Sequence, residues 1–152
     1  MYYTVNDVAK ISNISPHTIR FYSKEGLLPH VKRNEYGVRM FQSDDFEWLF
    51  VIESLKKSGM SIKDIREYIE LCAEGDATIG ERLNRFKRQQ EVVESKIAEL
   101  QEILQVVRYK RWRYEVSFQA GTIAVHQTMN PQDTPEEFRA IAEKLEKMKE
   151  MY

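Results

Sequence analysis

The sequence predicts a mainly α fold: a winged helix-turn-helix with a small β-hairpin wing, a long dimerising coiled-coil helix and a short C-terminal helix. Three observations carry this expectation. Two short capped segments near the N-terminus are joined by a three-residue turn, and a basic hairpin pattern follows them. A heptad repeat then runs through four cycles between residues 79 and 107. The expected division is a winged module over 1–76, a coiled-coil helix over 78–119, and a connector with a last helix over 120–152.

Thr4 and Asp7 make a capping-box pattern, with Tyr3 and Val8 placed as a hydrophobic staple, so a helix is expected from Val5 to about Ile11. Ser12-Asn13-Ile14 turns the chain. Ser15 then caps a second helix, Pro16 occupies its first position, and the segment runs to about Lys24. Ile14 and Ile19 form its staple, while His17, Arg20, Phe21 and Lys24 share one face. A short helix with such a polar outer side is the kind that enters a major groove.

Gly26 ends the second helix and Pro29 prevents its resumption. His30 to Phe41 reads as a hairpin turning at Asn34-Glu35-Tyr36-Gly37. Its Lys32, Arg33 and Arg39 suit phosphate contacts, which position a protein without reading sequence; a solvated basic hairpin is the plain alternative. Ser43 is expected to cap a third helix with Trp48, Val51, Ile52 and Leu55 on one face, closed by Ser58-Gly59. Ser61 and Asp64 begin a fourth, lined by Ile62, Ile65, Ile69 and Cys72 and broken at Gly75-Asp76. Lys56, Lys57 and the N–H groups after Ser61 offer one more place for a phosphate.

Thr78 and Glu81 read as the capping box of the long helix. Its seam is Ile79, Leu83, Phe86, Val93, Ile97, Leu100, Leu104 and Val107, with Gln90 as the polar interruption. At roughly 1.5 Å per residue the helix is about 50 Å long, too long to be covered by so small a chain, so the seam calls for a second copy. The pattern leaves parallel and antiparallel pairing open. Tyr114 and Phe118 continue the spacing and extend the helix to about Gln119, although Trp112, Tyr114, Val116 and Phe118 also alternate as a strand would. Tyr109, Trp112, Tyr114 and Phe118 could wall an aromatic pocket for a small-molecule effector, or simply pack the ends of a dimer. Residues 121–133 carry no readable motif. Thr134, Pro135 and Glu137 mark a last helix with Phe138, Ile141, Leu145, Met148 and Tyr152 on one face, expected to fold back on the coiled coil or on a partner chain.

Net charge is −1, yet residues 1–42 carry six Lys and Arg against three acidic residues, a local +3 that suits a nucleic-acid partner. The single cysteine, Cys72, forbids an intrachain disulfide and fits a reducing cytosol. No signal peptide or membrane span is visible, so a cytoplasmic location without a membrane partner is expected. His17, His30 and His126 are scattered, and neither a metal site nor a cofactor is expected. No nucleophile and base pair or phosphate-binding glycine loop points to an enzyme.

The strings Tyr3-Thr4-Val5, Ser15-Pro16-His17-Thr18-Ile19-Arg20-Phe21-Tyr22 and Glu25-Gly26-Leu27-Leu28-Pro29 resemble the MerR family of bacterial transcription regulators. Gly37-Val38-Arg39-Met40-Phe41 and Ser58-Gly59-Met60-Ser61-Ile62 continue the resemblance, which covers roughly residues 2–112. It implies a homodimer on a pseudo-palindromic promoter, bending and untwisting the DNA so that RNA polymerase can use both promoter elements. By position it implies base or phosphate contacts for Ser15, His17, Thr18 and Arg20. Tyr22 would support the helix or bond a phosphate, and Tyr36 and Arg39 would clamp the backbone from the wing. Phe21 stands where the family often has a second tyrosine, and Ser23 where a glutamate is common. The chain resembles most the aldehyde- or electrophile-responsive branch, but Ser54 occupies the position of that branch's reactive cysteine, and a hydroxyl does not ionise near neutral pH. An architectural DNA-bending protein resembling the excisionases is the competing function, against which the long heptad helix argues.

Overall fold

The computed structural model describes the backbone of residues 1–150 and the side chains of residues 1–149, so Tyr152, expected on the last helix, lies outside the described residues. Helix α1 (Val5–Ser12) starts at Thr4, whose hydroxyl accepts the Asp7 N–H while the Asp7 carboxylate accepts the Thr4 N–H at 2.9 Å. Asn13 ends it at φ 56, a left-handed conformation that a short polar side chain tolerates. Helix α2 (Pro16–Lys24) begins with the Ser15 hydroxyl accepting the Thr18 N–H at 3.0 Å. The turn between them falls one residue later than expected, over Asn13-Ile14-Ser15, because Ser12 closes α1 with its hydroxyl donating to the Val8 carbonyl at 2.8 Å.

Strands β1 (Lys32–Arg33) and β2 (Arg39–Met40) pair antiparallel, Lys32 opposite Met40 and Arg33 opposite Arg39. Gly37, at φ 76, supplies the turn. A bridge between Tyr3 and Phe41, bonded in both directions at 2.8 and 2.9 Å, ties the base of this wing to the N-terminal segment.

Helix α3 (Ser43–Ser58) is capped by Gln42 and not by Ser43. The buried Asp45 carboxylate accepts the Gln42 N–H at 2.8 Å, and the Ser43 hydroxyl donates sideways to Asp44. Helix α4 (Ile62–Ala73) starts at Ser61 as expected. The core joins Val8, Ile19, Tyr22, Leu27, Phe41, Leu49, Ile52 and Ile65, so all four helices of the winged module contribute to it, with Leu27 and Phe41 added from the segments that flank the two wing strands. Leu49 is fully buried although the expected apolar face of α3 ran through Trp48 and Val51, which are only half-buried.

A 3-10 turn (Gly75–Thr78) leads into α5 (Ile79–Ala120). The expected Thr78 capping box does not form: the buried Thr78 hydroxyl donates backward to the carbonyls of Leu71 (2.6 Å) and Gly75 (2.9 Å). The turn gives that hydroxyl two nearby acceptors, so it finishes α4 instead of starting α5. Residues 112–119 are helical, the reading the heptad favoured over the strand.

The chain forms two compact units, residues 1–93 and 94–152. In the first, α5 is held to α3 and α4 by Gln89, Arg85 and Phe86, which explains why that unit reaches well past residue 76. In the second, a turn at Gly121 leads to the one-turn helix α6 (Val125–Thr128) and to α7 (Glu136–Glu150). Phe138 of α7 is buried against Tyr109 and Trp112 of α5, at ring distances of 6.1 and 5.6 Å.

Candidate nucleic-acid interface

Pro16 sets α2 going with a fixed φ, and Ile19 and Tyr22 turn inward, which leaves His17, Arg20 and Phe21 exposed on the outer side. Ser15 and Thr18 stand at the start of that face with their hydroxyls 2.8 Å apart. Across the wing, Lys32, Arg33 and Tyr36 are exposed, Tyr36 at its tip and 81 % accessible. Arg33 donates to the Gly37 carbonyl at 2.7 Å, and Arg39 donates through Nε to the Ser23 hydroxyl at 2.8 Å. Ser23 thereby joins wing and helix, a role the sequence did not signal.

Burial, and then the charges of Arg33 and Arg20, push the Arg39 guanidinium below its ordinary value. Three guanidiniums from α2 and the wing thus share one field, and among the described residues none of them is in an ion pair. Like charges gathered without counter-ions are a self-repulsion that a polyanion relieves.

Tyr22 is not part of this face. It is fully buried, its hydroxyl donates to Glu53 of α3, and the Lys56 ammonium lies 5.3 Å from its ring centre. Burial, with Glu53 next, raises its phenol well above the usual value. Of its two expected roles the structure leaves support of the helix, because a hydroxyl turned inward does not reach a phosphate. Lys56 and Lys57 remain exposed, Lys57 at 3.8 Å from Glu53. The Ser61 hydroxyl is engaged with Asp64, accepting its N–H at 3.0 Å and donating to its carboxylate at 2.5 Å. That carboxylate already stands at the α4 terminus, so the two lysines carry the positive charge there.

Along α5, Ile79, Leu83, Phe86, Ile97, Leu100, Leu104 and Val107 are exposed in the single chain, Leu100 at 64 %, and Val93 is half-buried. Phe86 meets Tyr68 edge-on at 5.1 Å. The four aromatic residues expected to wall one pocket fall on two sides. Tyr109 is buried and Trp112 half-buried under Phe138, whereas Tyr114 and Phe118 are open, Phe118 at 85 %. His126, whose Nε2 lies 2.9 Å from both the Ser117 hydroxyl and the Arg113 carbonyl, closes the inner side. Ser54 is exposed with its hydroxyl donating to the Phe50 carbonyl, and Cys72 is half-buried, 3.9 Å from Arg82.

Two family models match the chain: a MerR HTH family regulatory protein over residues 3–72, and a MerR DNA-binding segment over residues 46–108. An uncharacterized HTH-type transcriptional regulator of Haemophilus influenzae is 44 % identical over 123 residues, covering 81 % of this chain and 91 % of its own. The crystal structure of HiNmlR, a MerR family regulator lacking the sensor domain and bound to promoter DNA, superposes with a TM-score of 0.75 at 43 % identity, over 82 % of this chain and 99 % of that one. A MerR family regulator of Bacillus thuringiensis gives a TM-score of 0.68 at 38 % identity, over 75 % of this chain and all of that one, 100 %. Both family models end before α6 and α7. With the order of helices, the wing and the long helix all in place, the chain belongs to the MerR family of helix-turn-helix transcription regulators.

Proposed function

We propose that the protein works as a homodimer that sets two copies of α2 into successive major grooves of a pseudo-palindromic promoter and bends and untwists the DNA between them. The observation that carries this reading is the unpaired field of Arg20, Arg33 and Arg39 beside the exposed side of α2. Arg20, His17, Ser15 and Thr18 take base edges and phosphates, and Lys32, Arg33, Tyr36 and Arg39 hold the backbone from the wing. Lys56 and Lys57 add a flanking phosphate contact. The exposed apolar seam from Ile79 to Val107 supplies the dimer, and Tyr114 and Phe118 lengthen it. RNA polymerase is reached through the DNA, whose altered twist aligns the promoter elements. A small-molecule effector would meet the Tyr109 and Trp112 side of α5, and Ser54 removes the thiolate route of sensing.

Footprinting of the purified protein on its own upstream DNA at two salt concentrations tests the reading. Protection of a two-fold symmetric site between spaced promoter elements is expected. Weak, salt-sensitive binding with no preferred site would instead favour the architectural reading.

A further inference from the structure

We propose that Arg66 is a positioning residue for DNA recognition: from α4 it fixes the C-terminal end of α2, while the adjacent Glu67 ties α4 to the first turns of α5. This rests on α2 being the reader. The last carbonyls of any helix lack partners within it, and α2 has only nine residues, so its end is held weakly by its own ladder. Arg66 reaches that end twice. Its Nε donates to the Glu25 carbonyl at 2.7 Å and its Nη2 to the Glu25 carboxylate at 2.6 Å, with both side chains partly withdrawn from solvent. Two bonds from one planar fork to one residue fix an orientation as well as a distance. The apolar contacts around Leu27, Leu28, Ile65 and Ile69 hold the layers together but carry no such direction.

Consecutive helical residues point about 100° apart, so position 67 faces a different neighbour. There Glu67 accepts from Arg85 of α5 at 2.9 Å, and one turn further Gln89 donates to the Ser58 hydroxyl at 2.8 Å. All of these residues lie in the first compact unit. Helix α4 is thereby pinned between the reader and the start of the dimer helix by two neighbouring side chains. A dimer on DNA needs its two readers at a fixed spacing of one helical turn, about 34 Å, so an end of α2 free to shift spoils the specific register before it weakens attraction to phosphates.

The test compares full-length wild type with Arg66→Ala, Arg66→Lys, Glu25→Gln and the double variant Arg66→Ala/Glu25→Gln. Affinity for the footprinted operator and for unrelated duplex is measured over a salt series, and amide exchange is followed at Glu25 and Leu27, whose N–H groups bond to Phe21 and Tyr22. Arg66→Ala should lose about tenfold in operator affinity, with binding to unrelated duplex and the salt slope unchanged. Exchange at Glu25 and Leu27 should rise while that of core amides does not. Arg66→Lys should recover little, and the double variant should be no worse than Arg66→Ala. An unchanged ratio of operator to unrelated duplex, or unchanged exchange at the α2 end, overturns the proposal. Equal losses on both DNAs with a shallower salt slope also overturn it, by making Arg66 a phosphate contact. If Arg66→Ala fails to fold, the near-isosteric Glu25→Gln and Arg66→Lys probe the same contact by the same readouts. The exchange readout needs no DNA, so a wild type without a preferred site defeats the promoter reading, while exchange at the α2 end still decides whether Arg66 holds that helix.

Discussion

Arg20 and Tyr22 stand two residues apart on α2, and the helical period sends one to solvent and the other into the core. Arg20→Ala should therefore remove sequence preference, at about 1–3 kcal/mol per half-site, while sedimentation still finds a dimer. Retained preference would take Arg20 out of the reader. Tyr22→Phe keeps the ring but leaves Glu53 without its donor, and should lower stability to urea by about 1–2 kcal/mol. It should also change the alkaline limb of stability. Burial raises the Tyr22 phenol above its ordinary 10.0, and burial beside Cys72 pushes Tyr68 up to about 12. The folded state keeps these protons where the unfolded chain releases them, so stability is whole below pH 10 and falls as pH rises above it. Melting curves between pH 9 and 11.5 should show a shallower fall for Tyr22→Phe than for wild type. The Ser15-Pro16 start made the face of α2 legible in the sequence. The Glu53 partner was not, because it is thirty-one residues away and only the packing of α3 on α2 brings it near.

At the level of elements, α5 shows what a period conveys and what it omits. The spacing that carries the seam to Tyr114 and Phe118 assigns Tyr109 and Trp112 to the opposite side of the helix, so one pocket for all four conflicted with helical geometry from the outset. Helix α6 had no legible signal, since its hold on α5 runs through His126, Ser117 and the Arg113 carbonyl, contacts that no local pattern encodes. The displaced starts of α3 and α5 have a similar cause: the Asp45 carboxylate takes the Gln42 N–H and so moves the cap one residue ahead of Ser43, and the 3-10 turn gives the Thr78 hydroxyl two carbonyls in place of the expected box. Leu100 lies midway along the seam and is open in one chain. Leu100→Asp would bury an unpaired carboxylate in each copy of a dimer and should give monomers by light scattering; a stable dimer would refute the seam. Phe138 has the converse role within the second unit. Phe138→Ala removes the ring that lies on Tyr109 and Trp112, at a cost of about 3–5 kcal/mol to the seating of α7. Amide exchange across 136–149 should accelerate while operator affinity stays at the wild-type value.

For the whole molecule, a net charge of −1 gives no reason to expect attraction to DNA. At physiological ionic strength a charge is felt over about 8 Å, so a duplex responds to the charges it meets and hardly to their sum over the chain. On the proposed DNA face the winged module offers Arg20, Lys32, Arg33 and Arg39, with Lys56 and Lys57 on the flank, and dimerisation doubles the set. Because each neutralised phosphate releases a counter-ion, the slope of log affinity against log salt counts the cations in contact, at about −0.9 per phosphate. Lys32 is the informative one to remove. It is exposed and its side chain makes no hydrogen bond or ion pair among the described residues, so Lys32→Ala alters charge with little structural cost. In a dimer that loses two wing contacts, the slope should become shallower by about two, equally on operator and on unrelated duplex. Arg20→Ala should differ in kind by collapsing the ratio between the two DNAs. A slope unmoved by Lys32→Ala would take Lys32 off the phosphates and leave the backbone to Arg33 and Arg39 of the wing, α2, Lys56 and Lys57.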